Sequence, residues 1–245
     1  MLPAGHTRVS DSRRSVLVRV AAEAAEFLLP QRCLVCGRFG GALHPQCVAR
    51  LPAAEGARCQ RCWRPGVGAW CARCAASGPD APAFDGLRTP FEFGGDARRA
   101  ILEAKFRGVT ALLPPLARAA AEVVPAEWGI EAVVPIPLAR GRRRSRGYNQ
   151  AEIAAVEVAR RLGVPARTGW LRRTRETPAQ AGLAAEARGR NLRGAFEARR
   201  PDSLPARVLL VDDVTTTGAT FEEAVQALRL TGVDRVYALA LARED

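Results

Sequence analysis

Residues 208–220 read VLLVDDVTTTGAT, and no other stretch of this 245-residue chain restricts its fold as tightly. Four consecutive apolar residues, 208–211, describe a strand buried on both faces of a parallel sheet, because a strand with one wet face would alternate. Residues 221–230 then follow helical periodicity as far as Gly232, a C-cap. The segment between them lies at the carboxyl end of a strand and the amino end of a helix. In open α/β sheets that crevice binds ligands, and the unpaired N–H groups of a helix start favour an anion. Threonine hydroxyls around one glycine suit a phosphate, and two adjacent carboxylates suit ribose hydroxyls or a hydrated Mg²⁺. The combination describes a site for a phosphorylated sugar. A Walker A loop or a dinucleotide fingerprint would need glycine spacings that the chain lacks. A receiver domain would need a later phospho-acceptor Asp, and too little chain follows Asp213.

Seven cysteines, all between positions 33 and 74, point to metal rather than to a disulfide framework. CLVC (33–36) is followed by HPQC (44–47), and CQRC (59–62) by CARC (71–74). Tetrahedral zinc takes four nitrogen or sulfur donors, and each half supplies them. The assignment is Cys33, Cys36, His44 and Cys47 to one site and Cys59, Cys62, Cys71 and Cys74 to the other, with a cross-braced pairing also open. Both sites are expected to be structural, since all four positions of each are filled. Modules this small have little core without metal, so its loss is expected to unfold residues 30–76 and leave the rest folded. A thioredoxin-type redox motif, which occurs once and ahead of a helix, does not fit this spacing.

The expected organisation is an N-terminal tail and short helix over 1–29, a double zinc ribbon over 30–76 and an α/β domain over 84–245. No apolar run reaches the length of a membrane span and no signal-peptide core is present, so a cytoplasmic location is expected. The net charge of +12 is unevenly spread: residues 130–200 hold sixteen Arg against six acids, whereas residues 201–245 hold four against eight. Five of those arginines fall within 140–146, in a loop expected after a short buried strand at 132–136, and a helix is expected over 151–162. The segment 171–196, poor in large apolar residues at its middle, reads as a flap that closes over a reactive sugar. Lys105, in EAKFRG (103–108), is the one lysine among 37 basic residues, which suggests a site needing a compact ammonium.

VLLVDDVTTTGAT resembles the phosphoribosyl pyrophosphate (PRPP) motif of type I phosphoribosyltransferases. Taken in order, the Cys-x2-Cys ribbons, KFRG, VPIPLARGRRRSRGYNQ, TPAQAGLAAEARGRNLRGAF and VLLVDDVTTTGAT resemble the ComF family (ComFC or GntX-like proteins) from about residue 28 onward. The resemblance implies a type I phosphoribosyltransferase domain, a mostly parallel sheet with flanking helices, behind an N-terminal double zinc ribbon. It implies a PRPP-binding protein linked to the uptake of transforming DNA, with competence-machinery proteins as partners. Asp212 and Asp213 would hold the ribose diol, directly or through Mg²⁺, and Thr215, Thr216, Thr217, Gly218, Ala219 and Thr220 the 5′-phosphate. Arg146 would bind pyrophosphate, with Lys105 at the same ligand, and Asp212, Asp213 and Arg146 would carry catalysis by pentosyl transfer. Gln180, Arg188 and Asn191 belong to the flap motif. The chain departs from its relatives at His44, where they mostly have Cys. The acceptor is not legible. Two readings stand: transfer of phosphoribose to an unidentified acceptor, or a non-catalytic single-strand DNA adaptor whose PRPP-like site senses a nucleotide metabolite. In the second, the arginines and the stacking faces of Trp63 and Trp70 would form the DNA surface.

Overall fold

The structure, a computed structural model, describes residues 31–66, 69–76, 81–175, 194–199 and 203–244. It divides into two compact units between His44 and Pro45. The described part of the first is a tight turn in which Arg32 bridges Phe39 and its guanidinium covers the Phe39 ring at 4.1 Å.

In the second unit the elements run α1 (Pro45–Val48), α2 (Ala72–Ala75), β1 (Gly86–Arg88), β2 (Phe91–Glu92), α3 (Gly95–Phe106), α4 (Leu113–Glu122) and β3 (Ala132–Pro135). They continue through α5 (Arg140–Arg146), α6 (Gln150–Leu162), β4 (Leu171–Arg173), β5 (Phe196–Ala198), β6 (Arg207–Thr215), α7 (Ala219–Arg229) and β7 (Arg235–Arg243). The sheet order is β1–β7–β6–β3, with β2 also beside β7, and every pairing is parallel. This is the mostly parallel sheet with flanking helices that the sequence implies. Val208, Leu209, Leu210 and Val211 are fully buried, as a central strand covered on both faces must be. Their register is Ala132↔Val208 to Pro135↔Val211 on one side and Val208↔Val236 to Val211↔Leu239 on the other.

Three local readings change. The strand expected to end at 211 runs on to Thr215, so Asp212 and Asp213 belong to the strand rather than to the loop. Pairing continues through Asp212↔Ala240 and Thr215↔Arg243, and backbone hydrogen bonds outweigh the poor strand propensity of Asp there. The arginine-rich loop is in part a helix, α5, stopped by Gly147 at φ 80°. Arginine is a good helix former, and the Arg143–Glu152 ion pair at 3.1 Å relieves some of the like-charge crowding. The two ends of the expected flap are strands: β4 and β5 pair antiparallel, Leu171↔Ala198 to Arg173↔Phe196, against α7. Residues 176–193, including Gln180, Arg188 and Asn191, lie outside the described residues, as does the expected helix within 1–29.

Helix α6 begins one residue earlier than expected because Asn149 caps it. The Asn149 side chain accepts from the Ala151 N–H at 3.1 Å and donates through Nδ2 to the Ile136 carbonyl at 3.0 Å. One buried side chain thereby starts the helix and fastens it to the end of β3. At the opposite sheet edge, Trp128 stacks on Tyr237 with centroids 4.3 Å apart, and Gly86, the register partner of Tyr237, leaves the space for it. A Cβ on Gly86 would lie 2.6 Å from Trp128 Cζ2. Gly86→Ala is expected to lower unfolding free energy by about 1–3 kcal/mol through overpacking, read by urea denaturation of the metal-loaded protein.

Candidate functional site

The carboxyl ends of β3 and β6 meet the amino ends of α6 and α7, and the chain places its chemistry there. Successive side chains of a strand point to opposite faces, so Asp212 and Asp213 leave β6 on different sides. Asp213, 7% exposed, receives the Lys105 ammonium from the last turn of α3, Nζ to Oδ1 3.0 Å. The end of α3 is in turn tied to the segment after α5. The Tyr148 hydroxyl donates to the Ala104 carbonyl, and Arg146 lies over the Phe106 ring at 5.2 Å. The structure thus joins KFRG, RGYNQ and the acidic strand end, three stretches far apart in the chain.

Asp212 keeps some surface exposure, but its carboxyl is enclosed by protein. Burial first, and the neighbouring Asp213 second, push it up to about 7, against the pull of Lys105, the Asp213 N–H at 2.8 Å and Arg173. Arg173 on β4 is the group the sequence reading missed. Burial, and Arg142 nearby, lower its pKa while the charge of Asp212 opposes them, which marks it as a half-buried cation near the acidic strand end. Its sequence, LRRTRE, offered no signal, since any of its arginines could have been the inward one. Arg173 also lines a cavity of about 420 Å³ with Arg140, Arg143, Asn149, Glu152 and Glu197.

Thr215 is buried at the strand end, and Thr216 and Thr217 are partly exposed in the turn. The Thr217 hydroxyl accepts from the Ala219 N–H at 3.3 Å. Gly218, at φ 87°, precedes α7, and Ala219 and Thr220 form its first turn. Here the left-handed backbone favours glycine, and an added Cβ would also crowd Phe84, whose Cε1 would lie 3.1 Å away. The turn thereby presents hydroxyls and helix-start N–H groups beside the two acids.

Both cysteine groups are assembled, in the sequential rather than the cross-braced pairing. The donor atoms of Cys33, Cys36, His44 and Cys47, and those of Cys59, Cys62, Cys71 and Cys74, lie within 4.8 Å of one another in each group. Each can hold a metal ion such as zinc. A tetrahedron with 2.3 Å zinc–sulfur arms has edges of about 3.8 Å, and the Cys62 and Cys71 sulfurs are 3.6 Å apart. His44 places Nδ1 3.3 Å from the Cys36 sulfur, while Nε2 lies 3.2 Å from the Phe39 carbonyl. A carbonyl can only accept, so Nε2 carries the proton and Nδ1 presents its lone pair to the group, the arrangement a metal-binding imidazole needs. In the second group burial raises the Cys59 thiol, but N–H groups of Cys62, Cys71 and Arg61 outweigh it and bring it down to about 6. Burial pushes Cys62 and Cys74 up. Without metal such a cluster holds protons that a bound cation would displace.

Each first knuckle demands a left-handed residue after its second cysteine. The first uses Gly37 at φ 69°, the second Trp63 at φ 59°. A tryptophan there is strained and must be held by its surroundings. Its Nε1 donates to the Thr89 carbonyl at 3.0 Å, and Arg88 covers its ring at 4.4 Å. Trp63 is therefore not an open stacking platform for nucleic acid, whereas Trp70 is half exposed.

A parallel-sheet domain with two clustered acids at a helix start, in a chain that also carries two cysteine-rich groups, defines the class. No protein-family model matches the chain. It is 41% identical over 115 residues to Competence protein F of Haemophilus influenzae, covering 46% of this chain and 50% of that protein. It is 35% identical over 111 residues to the DNA utilization protein YhgH of Escherichia coli, covering 45% of this chain and 48% of the relative. Amidophosphoribosyltransferase of Escherichia coli is 31% identical over 131 residues, 50% of this chain and 23% of that protein. Competence protein F and YhgH are homologues of this chain, in agreement with the resemblance to the ComF family, and the matches span about half the length of each.

The raised pKa of Asp212 has a consequence for stability. The unfolded side chain ionises near 3.8, whereas the folded one keeps its proton to about 7. The folded state binds more protons between those values, so this residue's contribution falls as pH rises through that window and the full penalty persists above it. Asp212→Asn is expected to stabilise the protein by on the order of 1–3 kcal/mol at pH 8 and hardly at all near pH 4, relative to the parent at the same pH in urea unfolding.

Proposed function

We propose that the strand end and turn of 212–220 bind a phosphoribosyl ligand, PRPP with Mg²⁺, in a ComF-type protein that serves DNA uptake and transfers phosphoribose. The observation that carries the reading is the placement of Asp212 and the Lys105–Asp213 pair on the strand that runs directly into the Gly218 turn. Similarity to the Escherichia coli amidophosphoribosyltransferase, and to relatives named for competence and DNA utilization, supports its two halves.

The 5′-phosphate sits in the turn, on the hydroxyls of Thr216, Thr217 and Thr220 and the N–H groups opening α7. Asp212 and Asp213 accept from the ribose 2′ and 3′ hydroxyls, and Thr215 supports them from the strand end. Lys105, with Nζ 3.0 Å from Asp213 Oδ1, orients that carboxylate for the task. Arg146, with Arg173 across the crevice, faces the pyrophosphate. In transfer, the bond from the anomeric carbon to pyrophosphate breaks, the electron pair leaves with pyrophosphate, and the acceptor's lone pair closes on the oxocarbenium-like carbon. The arginines stabilise the charge that develops on the leaving group. Mg²⁺, when bound, supplies further neutralisation of that group. The two cysteine groups hold two structural zinc ions. Cysteine clusters without disulfides suit a reducing compartment, the cytoplasm, and among the described residues no helix is long and apolar enough to cross a membrane.

Asp212→Asn together with Asp213→Asn is expected to weaken PRPP–Mg²⁺ binding by a hundredfold or more, on the basis of about 1.5–3 kcal/mol for each charge-assisted hydrogen bond. Calorimetry showing unchanged affinity in the double variant would remove the assignment.

A second reading, a single-strand DNA adaptor, draws on the exposed face of α5, where Arg140, Arg143 and Arg144 are all exposed, and on the relatives' names. Binding that rests on these arginines should show little base preference and fall with salt by a slope of about −0.7 per neutralised phosphate. Replacing Arg142, Arg143 and Arg144 with Ala should flatten that slope in an anisotropy titration. A parent protein that binds no single strand at low ionic strength leaves the transferase reading alone.

A further inference from the structure

The second cysteine group and the start of α7 share one apolar cluster. Cys59, Cys62 and Cys74 are buried in it together with Phe84, Phe221, Ala224 and Val225. Phe84, 1% exposed, is the side chain that closes over Gly218. Its carbonyl accepts from Arg61 Nε at 3.0 Å, and Arg61 lies between Cys59 and Cys62. From the other half of the same group, Arg73, between Cys71 and Cys74, donates to Glu222 Oε1 in the first turn of α7 at 2.7 Å. A third tie runs to the sheet: Arg243, the register partner of Thr215, donates to the Cys62 carbonyl at 2.9 Å.

Each Cys-x2-Cys pair thus carries one arginine that reaches the phosphate turn or the residue packed on it. Those arginines are held only as well as the knuckles that bear them, and knuckles of this size depend on metal for their shape. We propose that metal at Cys59, Cys62, Cys71 and Cys74 positions the turn at 215–222, through Arg73 to Glu222 and through Arg61 and Phe84 to Gly218, so that metal loading and anion binding at this turn are coupled. Arg73, Arg61 and Phe84 are positioning residues: they set where the turn's donors point without touching the ligand. The identity of the anion, a sugar phosphate, rests on the function proposed above; the positioning does not. Coupling between two binding sites is reciprocal, so the ligand must tighten metal retention by the factor by which metal tightens the ligand, typically about 5–150-fold. This is the opposite of the independence that the ribbon spacing suggests.

The test uses the full-length, zinc-loaded protein and its Arg73→Ala, Arg73→Lys and Glu222→Gln variants, with ribose 5-phosphate as probe. Amide hydrogen exchange across 216–222 is expected to rise about tenfold in Arg73→Ala and Glu222→Gln and to return partway in Arg73→Lys, in line with local opening rather than global unfolding. Ribose 5-phosphate should bind about 5–20-fold more weakly to Arg73→Ala by calorimetry, within the usual range of coupling. Saturating ribose 5-phosphate should slow zinc transfer to a chromogenic chelator in the parent and much less in Arg73→Ala. Exchange at 216–222 that is the same in the parent and both uncoupling variants overturns the proposal. If the parent binds no ribose 5-phosphate but exchange still rises in the variants, the positioning stands and the phosphoribosyl reading falls.

Discussion

Strand β6 is the constraint on which the rest depends. It pairs with β7 over nearly its whole length and with β3 over four residues, and its four buried aliphatics leave it one register. A slip of one residue would turn Asp212 and Asp213 each to the other face and break the Lys105 contact, so the packing of the core also sets the chemistry at the strand's end. Carboxylates at the mouth of a closely packed sheet are costly to desolvate. That cost is visible in Asp212, whose carboxyl is driven toward neutrality, and it is offset at Asp213 by the ammonium of Lys105.

The basic excess of the chain takes on a different meaning in three dimensions. Arg58, 7% exposed, binds Glu92 at 2.9 Å and the carbonyls of Glu55 and Trp63. Arg61 and Arg243 cap carbonyls around the second cysteine group. Arg88 is layered between Trp63 and Trp128. Arg229 and Arg235 converge on Asp85. These planar, multi-donor groups act as joints between segments, most of them distant in the chain, a task a lysine performs poorly. On α5, by contrast, Arg140, Arg143 and Arg144 keep exposed side chains, and Arg143 also pairs with Glu152.

The two knuckles show how a backbone demand is met in two ways. Gly37 takes the left-handed conformation at no steric cost, whereas Trp63 takes it only because Arg88 and the Thr89 carbonyl hold its ring. The second knuckle thereby gains a large side chain that docks it to the sheet domain. The same position that in the first group merely permits a turn becomes, in the second, an attachment.

By itself the sequence determined the parts that obey short-range rules. The unbroken aliphatic run of β6 reads as an inner strand, the threonine–glycine turn as the opening of a helix, and the cysteines with His44 as eight metal-ligand candidates, whose sequential rather than cross-braced grouping came from the structure. Those readings are local, because periodicity, capping and ligand spacing are carried by neighbours along the chain. The tertiary structure alone decided which residues from distant stretches would meet. Nothing in EAKFRG says that Lys105 will face Asp213, nothing in LRRTRE says that Arg173 is the arginine whose charge reaches Asp212, and nothing in CARC says that Arg73 will reach Glu222. It also decided the extent of β6 and the helix at 140–146, where pairing with β7 and an ion pair to Glu152 override what Asp and clustered Arg prefer. Each of these rests on contacts between residues far apart in sequence, whose free energy depends on burial and shared partners that no short window of sequence contains.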